Sequence, residues 1–222
     1  MDDGSKNVEE SFKLLNLLQE QGVSHVVATP HFYANDESVD RFLIRRNKSF
    51  NNLQGNLSNQ YPKIHLGAEV KYYQGISHME GLDKLCIEGS NILLLEMPFG
   101  KWSNFVVSEV IELANTTRFR IMLAHVERYF SLQSKSVWRM LYENGVLMQV
   151  NAGAFLSMGT RRKVLRFIKS GGVLFVGSDC HNLSSRPPRM GQVLSILKKR
   201  LGEGLLSQIQ QYWNLILYKN DS

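Results

Sequence analysis

Six short runs of apolar, mostly β-forming residues recur along the chain, at 23–29, 64–70, 92–95, 121–124, 146–150 and 173–176. Stretches with helical spacing separate them: 8–21, 37–59 with a break expected at Gly55, a short one at 76–85, 105–116, 137–144 and 161–170. Two more helical stretches, 190–201 and 205–218, close the chain. Strands that alternate with helices pair in parallel, because a helix is needed to carry the chain back between neighbours. The fold class is therefore α/β, either an open sheet or a barrel. No Gly-x-Gly-x-x-Gly follows any run, which removes the dinucleotide-binding fingerprint of the doubly wound folds. No linker or low-complexity segment interrupts the pattern, so residues 1–222 read as a single domain.

The polar residues at the strand ends decide between sheet and barrel. His31, Glu69, Glu96 and His125 each stand at or near the end of a different run, and Asp179 with His181 follows the last one. An open sheet gathers ligands at one crevice, whereas a barrel builds its site from many strand ends. Each residue alone has an ordinary explanation: a loop or core histidine, or a carboxylate where a strand meets water. Their joint placement favours a barrel with a polynuclear metal site. An extended backbone through 179–181 would point Asp179 and His181 the same way. His25 and His65 lie inside strand patterns and His78 on a polar helix, so these three are set aside.

Imidazole and carboxylate without thiolate suit a divalent metal cluster, manganese first, with iron, zinc or magnesium as alternatives. Arg128 and Arg186, also just past strand ends, have the planar fork that binds phosphate. Cys180 and Arg186 share the Cys-x5-Arg spacing of cysteine-dependent phosphatases. The intervening residues lack the glycines such a loop needs, so the match is accidental.

The formal charge of +6 favours an anionic partner. The basic clusters at 45–46, 161–163 and 198–200 fall on helical patterns and read as solvated faces. No aromatic-basic stripe for nucleic acid is present. No apolar run approaches the ~18 residues of a membrane span. With only Cys86 and Cys180 there is no disulfide framework, and a cytoplasmic location is expected.

With those residues in view, the chain resembles the polymerase and histidinol phosphatase (PHP) superfamily, and within it the bacterial metal-dependent protein-tyrosine phosphatases of capsule and exopolysaccharide clusters. The resemblance rests on Asp2-Asp3-Gly4-Ser5-Lys6, Ala28-Thr29-Pro30-His31, Gly67-Ala68-Glu69, His125-Val126-Glu127-Arg128-Tyr129, Gln149-Val150-Asn151, and Ser178-Asp179-Cys180-His181-Asn182 with Arg186-Pro187-Pro188. It implies a distorted (β/α)7 barrel with three metals. Glu69 and Asp179 would help hold the first, Glu69, Glu96 and His125 the second, and Asp3, His31 and His181 the third. Arg128 and Arg186 would bind phosphate. The implied substrate is phosphotyrosine on a tyrosine-rich autokinase tail that controls polysaccharide export, and an oligomer is possible. The family begins with a strand ending in His-x-His before the Asp-Asp-Gly block, and this chain starts at that block. The expectation is a barrel lacking its first strand, an N-terminally truncated domain. Alternatives are a small-molecule phosphatase of the histidinol-phosphate type and a non-catalytic truncated binding protein.

Overall fold

The computed structural model describes residues 2–116, 118–170 and 175–217. Its elements run α1 (Val8–Glu20), β1 (His25–Ala28), β2 (His31–Phe32), α2 (Val39–Gln54), β3 (Lys63–Leu66), β4 (Glu69–Lys71) and β5 (Ile92–Glu96). There follow α3 (Asn104–Asn115), β6 (Arg120–Leu123), α4 (Lys135–Glu143), β7 (Leu147–Asn151), α5 (Met158–Lys169), β8 (Phe175–Gly177), α6 (Met190–Leu201) and α7 (Glu203–Leu217). Four helices start where a polar side chain satisfies an orphan amide. Asn7 accepts from Glu10 N at 2.8 Å, while the Glu10 carboxylate takes Lys6 N in return. Ser38, Ser103 and Ser134 cap α2, α3 and α4 in the same way.

Every strand pair is parallel. Six strands form one curled half-barrel sheet in the order β2-β4-β5-β6-β7-β8, and β1 pairs with β3 alone. The run at 23–29 holds the one strand expected of it, β1, but a second short strand, β2, follows it after Thr29-Pro30; the run at 64–70, read as one strand, breaks beside it at Gly67-Ala68. Pro30 has no amide to give the ladder. Gly67 sits so close to Thr29 and Ile87 that a Cβ there would lie 3.2 Å from Thr29 Cγ2. The bonds Gly67 N to Ala28 O and Glu69 N to Pro30 O carry the pairing across the break. Glu69 consequently opens β4, and His31 opens β2; neither ends a strand. The short helix expected at 76–85 is two 3-10 turns, Ile76–His78 and Leu82–Leu85, parted by Gly81 at φ +78°. Of the run at 173–176, residues 173 and 174 lie outside the described residues, as does Tyr218 at the end of the last helix.

Both faces of the sheet are buried, as a parallel sheet requires. Leu93, Leu95, Ile121, Leu123, Met148 and Val150 face the helices within the larger core, which continues to Ile209 on α7. Ile92, Leu94, Met122, Leu147 and Phe175 line the inner face with Ile87 and Ala124. Trp213 of α7 packs edge-on against Phe175, 5.0 Å between ring centroids. Side chains alternate with period two, so the inner rows continue from Leu94 to Glu96, from Leu147 to Gln149 and Asn151, and from Phe175 to Gly177. Register adds His31 and Glu69 beside Leu94, and Lys71 beside Glu96. The inner face thus changes from apolar to polar towards the C-terminal ends of the strands.

Candidate metal centre

At that polar end, two groups of side chains offer ligand atoms within 4.8 Å of one another: Asp3 with His31 and His181, and His31 with Glu69 and Glu96. His31 belongs to both. Asp3 Oδ1 lies 3.7 Å from His31 Nε2 and 3.3 Å from His181 Nε2. His125 Nε2 is 2.9 Å from Glu69 Oε1 and 3.5 Å from Glu96 Oε1. The side chains of Glu69 and Glu96 are only 12% and 13% exposed. Carboxylates this enclosed need a cation to offset their lost hydration.

Asp179 turns elsewhere. Its Oδ2 accepts from Arg186 Nη2 at 2.6 Å, Arg128 Nη2 at 3.3 Å and Asn151 Nδ2 at 2.5 Å. Neither described ligand group contains it, so Glu69 and Asp179 are not brought into one group; His125 is likewise in neither group and reaches Glu69 and Glu96 as an ion-pair partner. The backbone explains the turn. Asp179 has φ +52°, which departs from the extended path expected through 179–181. Its Oδ2 then faces the arginines, while His181 Nδ1 lies 3.1 Å from the Asp179 carbonyl and 3.9 Å from Asp179 Oδ1. His125 and Asp179 are the non-glycine residues with positive φ among those described. Such conformations cost roughly 1–3 kcal/mol each and persist where the surroundings impose them.

At His125 the imposing partner is Gln149. Its Oε1 accepts the His125 amide at 2.7 Å, and its Nε2 donates to Val150 O and Asn151 Oδ1, both at 2.8 Å. A Cβ at position 177 would collide with that amide group, so Gly177 makes room for it. Three further site residues had not been singled out for a role: Gln149, Asn151 and Lys71. Lys71 Nζ contacts Glu96 Oε2 at 2.9 Å. Its signal was legible, since Lys71 stands two residues after Glu69 and shares its face.

Charge shapes the surroundings. Burial, then the carboxylates of Glu96, Asp3, Asp2 and Glu69, push the Tyr33 phenol above its ordinary pKa. Burial likewise raises Tyr129, whose hydroxyl donates to Met97 O at 2.7 Å and fixes the loop after Glu96. Burial raises the Cys180 thiol too, the reverse of what a thiolate nucleophile needs. His25 and His65 pair with each other at 3.0 Å on the separate β1–β3 sheet.

The donor set fits a divalent metal cluster. It combines imidazole nitrogens with carboxylate oxygens, and the buried Nδ1 atoms of His31 and His125 have no hydrogen-bond partner among the described residues. Beside it, Arg128 and Arg186 meet at one carboxylate with their guanidinium edges partly in solvent, 41% and 37% exposed.

A sequence model of the family described as "Capsular polysaccharide synthesis, CpsB/CapC" matches residues 1–216. The CapC protein of Staphylococcus aureus is 29% identical over 206 residues, 88% of this chain and 78% of the relative. The tyrosine-protein phosphatase CpsB of Streptococcus agalactiae serotype III is 25% identical over 94% of this chain and 90% of its own. The tyrosine-protein phosphatase YwqE of Bacillus subtilis is 24% identical over 98% and 87%. A solved structure from work on B. subtilis YwqE and Streptococcus pneumoniae CpsB, described as metal-dependent tyrosine phosphatases, superposes with a TM-score of 0.83 at 20% identity. It covers 100% of this chain and 91% of that one, and shows the shared fold.

Proposed function

The chain belongs to the CpsB/CapC family of capsular polysaccharide synthesis, and from that premise we propose that it is a metal-dependent protein-tyrosine phosphatase. The observation that carries the reading is the meeting of two ligand groups through His31, beside two arginines converging on Asp179. Asp3, His31, Glu69, Glu96, His125 and His181 would hold the cluster, with manganese the metal we favour. A bound divalent cluster supplies Lewis-acid charge on phosphate oxygens and a nucleophile at neutral pH.

The chain's own residues do the rest. Arg128 and Arg186 bind the phosphate dianion through the donors that Asp179 leaves free, and they neutralise charge building on its equatorial oxygens. Asp179 aims both guanidinium groups; Asn151 holds Asp179 in turn. Gln149 fixes the backbone at His125 and so the direction of that ring. We assign the substrate as phosphotyrosine on a protein, specifically the tyrosine-rich tail of an autokinase that controls polysaccharide export, met in the cytoplasm where this chain would act. The reading treats residues 1–222 as one domain, supported by a core that extends from Phe32 to Ile209.

The test is Mn²⁺-dependent release of phosphate from a phosphotyrosine peptide, with bound metal measured alongside. Both should be clear in the wild type, with loss of turnover in His125→Ala and Asp179→Ala. Undiminished metal-dependent activity in both variants would defeat the proposal.

A further inference from the structure

Ile44, Phe105, Met140, Tyr142 and Leu194 are large apolar side chains left in solvent on helices. Tyr33, Phe99 and Leu183 are exposed on the segments that leave β2, β5 and β8, and Met158 on the first residue of α5, which follows β7. Those segments surround the C-terminal ends of the strands, where the candidate ligands converge. Tyr33 is placed differently from the other three. Its ring lies 5.7 Å from the His31 ring at an interplanar angle of 27°, so one face is packed on a residue of both ligand groups. The side chain is nevertheless 40% exposed. His31 is linked onward through Asp3 to Arg186, whose Nη1 is 3.4 Å from Asp3 Oδ2. Tyr33 therefore stands at the edge of the space between the ligand groups and the arginines.

We infer that Tyr33 is a specificity-determining residue, the wall on which the aryl ring of a phosphate ester stacks. This rests on the phosphatase reading above and adds the source of its preference for aryl esters. A phosphoryl group held by the cluster and the arginines directs its ester substituent towards the rim. An aromatic substituent gains a ring partner there, in the offset or edge-to-face arrangements that aromatic pairs prefer. A serine or threonine phosphate has no π-face to offer and gains nothing comparable.

The experiment uses the full metal-loaded chain as wild type, Tyr33→Ala and Tyr33→Phe, with Tyr142→Ala as an exposed-aromatic control on α4. Calorimetry gives the affinities for phenylphosphonate and methylphosphonate, and kinetics gives KM and kcat on a phosphotyrosine peptide. Tyr33→Ala should weaken phenylphosphonate and raise KM by about threefold to tenfold, with kcat and methylphosphonate affinity unchanged. Tyr33→Phe should behave as wild type, as should Tyr142→Ala. Parallel loss of both phosphonates in Tyr33→Ala would show that Tyr33 only supports His31, and would overturn the inference. Unchanged phenylphosphonate affinity in that variant would also overturn it. Wild type that discriminates the phosphonates through Tyr33 but releases no phosphate from the peptide would support the stacking wall and defeat the phosphatase reading instead.

Discussion

Replacing Gly177 with alanine probes, through packing alone, the support behind His125. The new Cβ would occupy the place of the Gln149 amide group. Gly177 does not have positive φ, so alanine is not strained by its own backbone. The cost comes from moving Gln149, which makes hydrogen bonds to His125 N, Val150 O and Asn151 Oδ1. At a net contribution of about 1 kcal/mol each, their loss destabilises by about 3 kcal/mol. The His125 residue is only 2% exposed, so its freed amide has little access to water. Gln149→Ala should cost a similar amount, since it removes the same bonds. The double variant should cost little more than Gln149→Ala alone, because the obstacle to a Cβ at position 177 has gone. That is a coupling of about 2–3 kcal/mol between the two positions. Urea unfolding at constant m-value measures it. If Gly177→Ala shifts stability by less than about 0.5 kcal/mol, or the two changes simply add, Gln149 does not brace His125 as argued.

Three other outcomes follow from the same geometry. Lys71→Met removes the cation beside Glu96. It should lower the stability of metal-free protein by up to about 1 kcal/mol and tighten Mn²⁺ binding, both read from melting curves with and without metal. Equal metal affinity in variant and wild type would show that Lys71 does not compete for Glu96. Stripping metal with a chelator should lower the melting temperature, and Mn²⁺ at 100 times its Kd should return about 2.7 kcal/mol. An unchanged melting temperature would argue against a cation among the carboxylates. Burial pushes the Cys86 thiol from 9.0 up to about 12. The unfolded chain therefore loses that proton first, and the contribution of Cys86 to stability, intact below pH 9, falls away between pH 9 and about 12. Alkylation at pH 8 should correspondingly be far slower at Cys86 in folded than in urea-unfolded protein.

The sequence alone determined the alternation of strands and helices and the parallel sheet. These are written in local chemistry: the period of the apolar residues and where glycine breaks a run. It also placed Glu96 at the end of a strand and His125 just past one, because the change from apolar to polar along each run can be seen in one dimension. Tertiary structure decided what meets what. The run at 64–70 split at Gly67 and a new short strand followed Pro30, so that Glu69 and His31 became the first residues of paired strands. That contact depends on register between chain segments far apart in sequence. Asp179 joined the arginines instead of Glu69 because its backbone turned to positive φ without a glycine to announce it. Lys71 met Glu96, and Gln149 reached under His125 past Gly177, through pairings that only the assembled sheet creates. Periodicity records which face a side chain takes, while the partner it finds there is set by how the strands align.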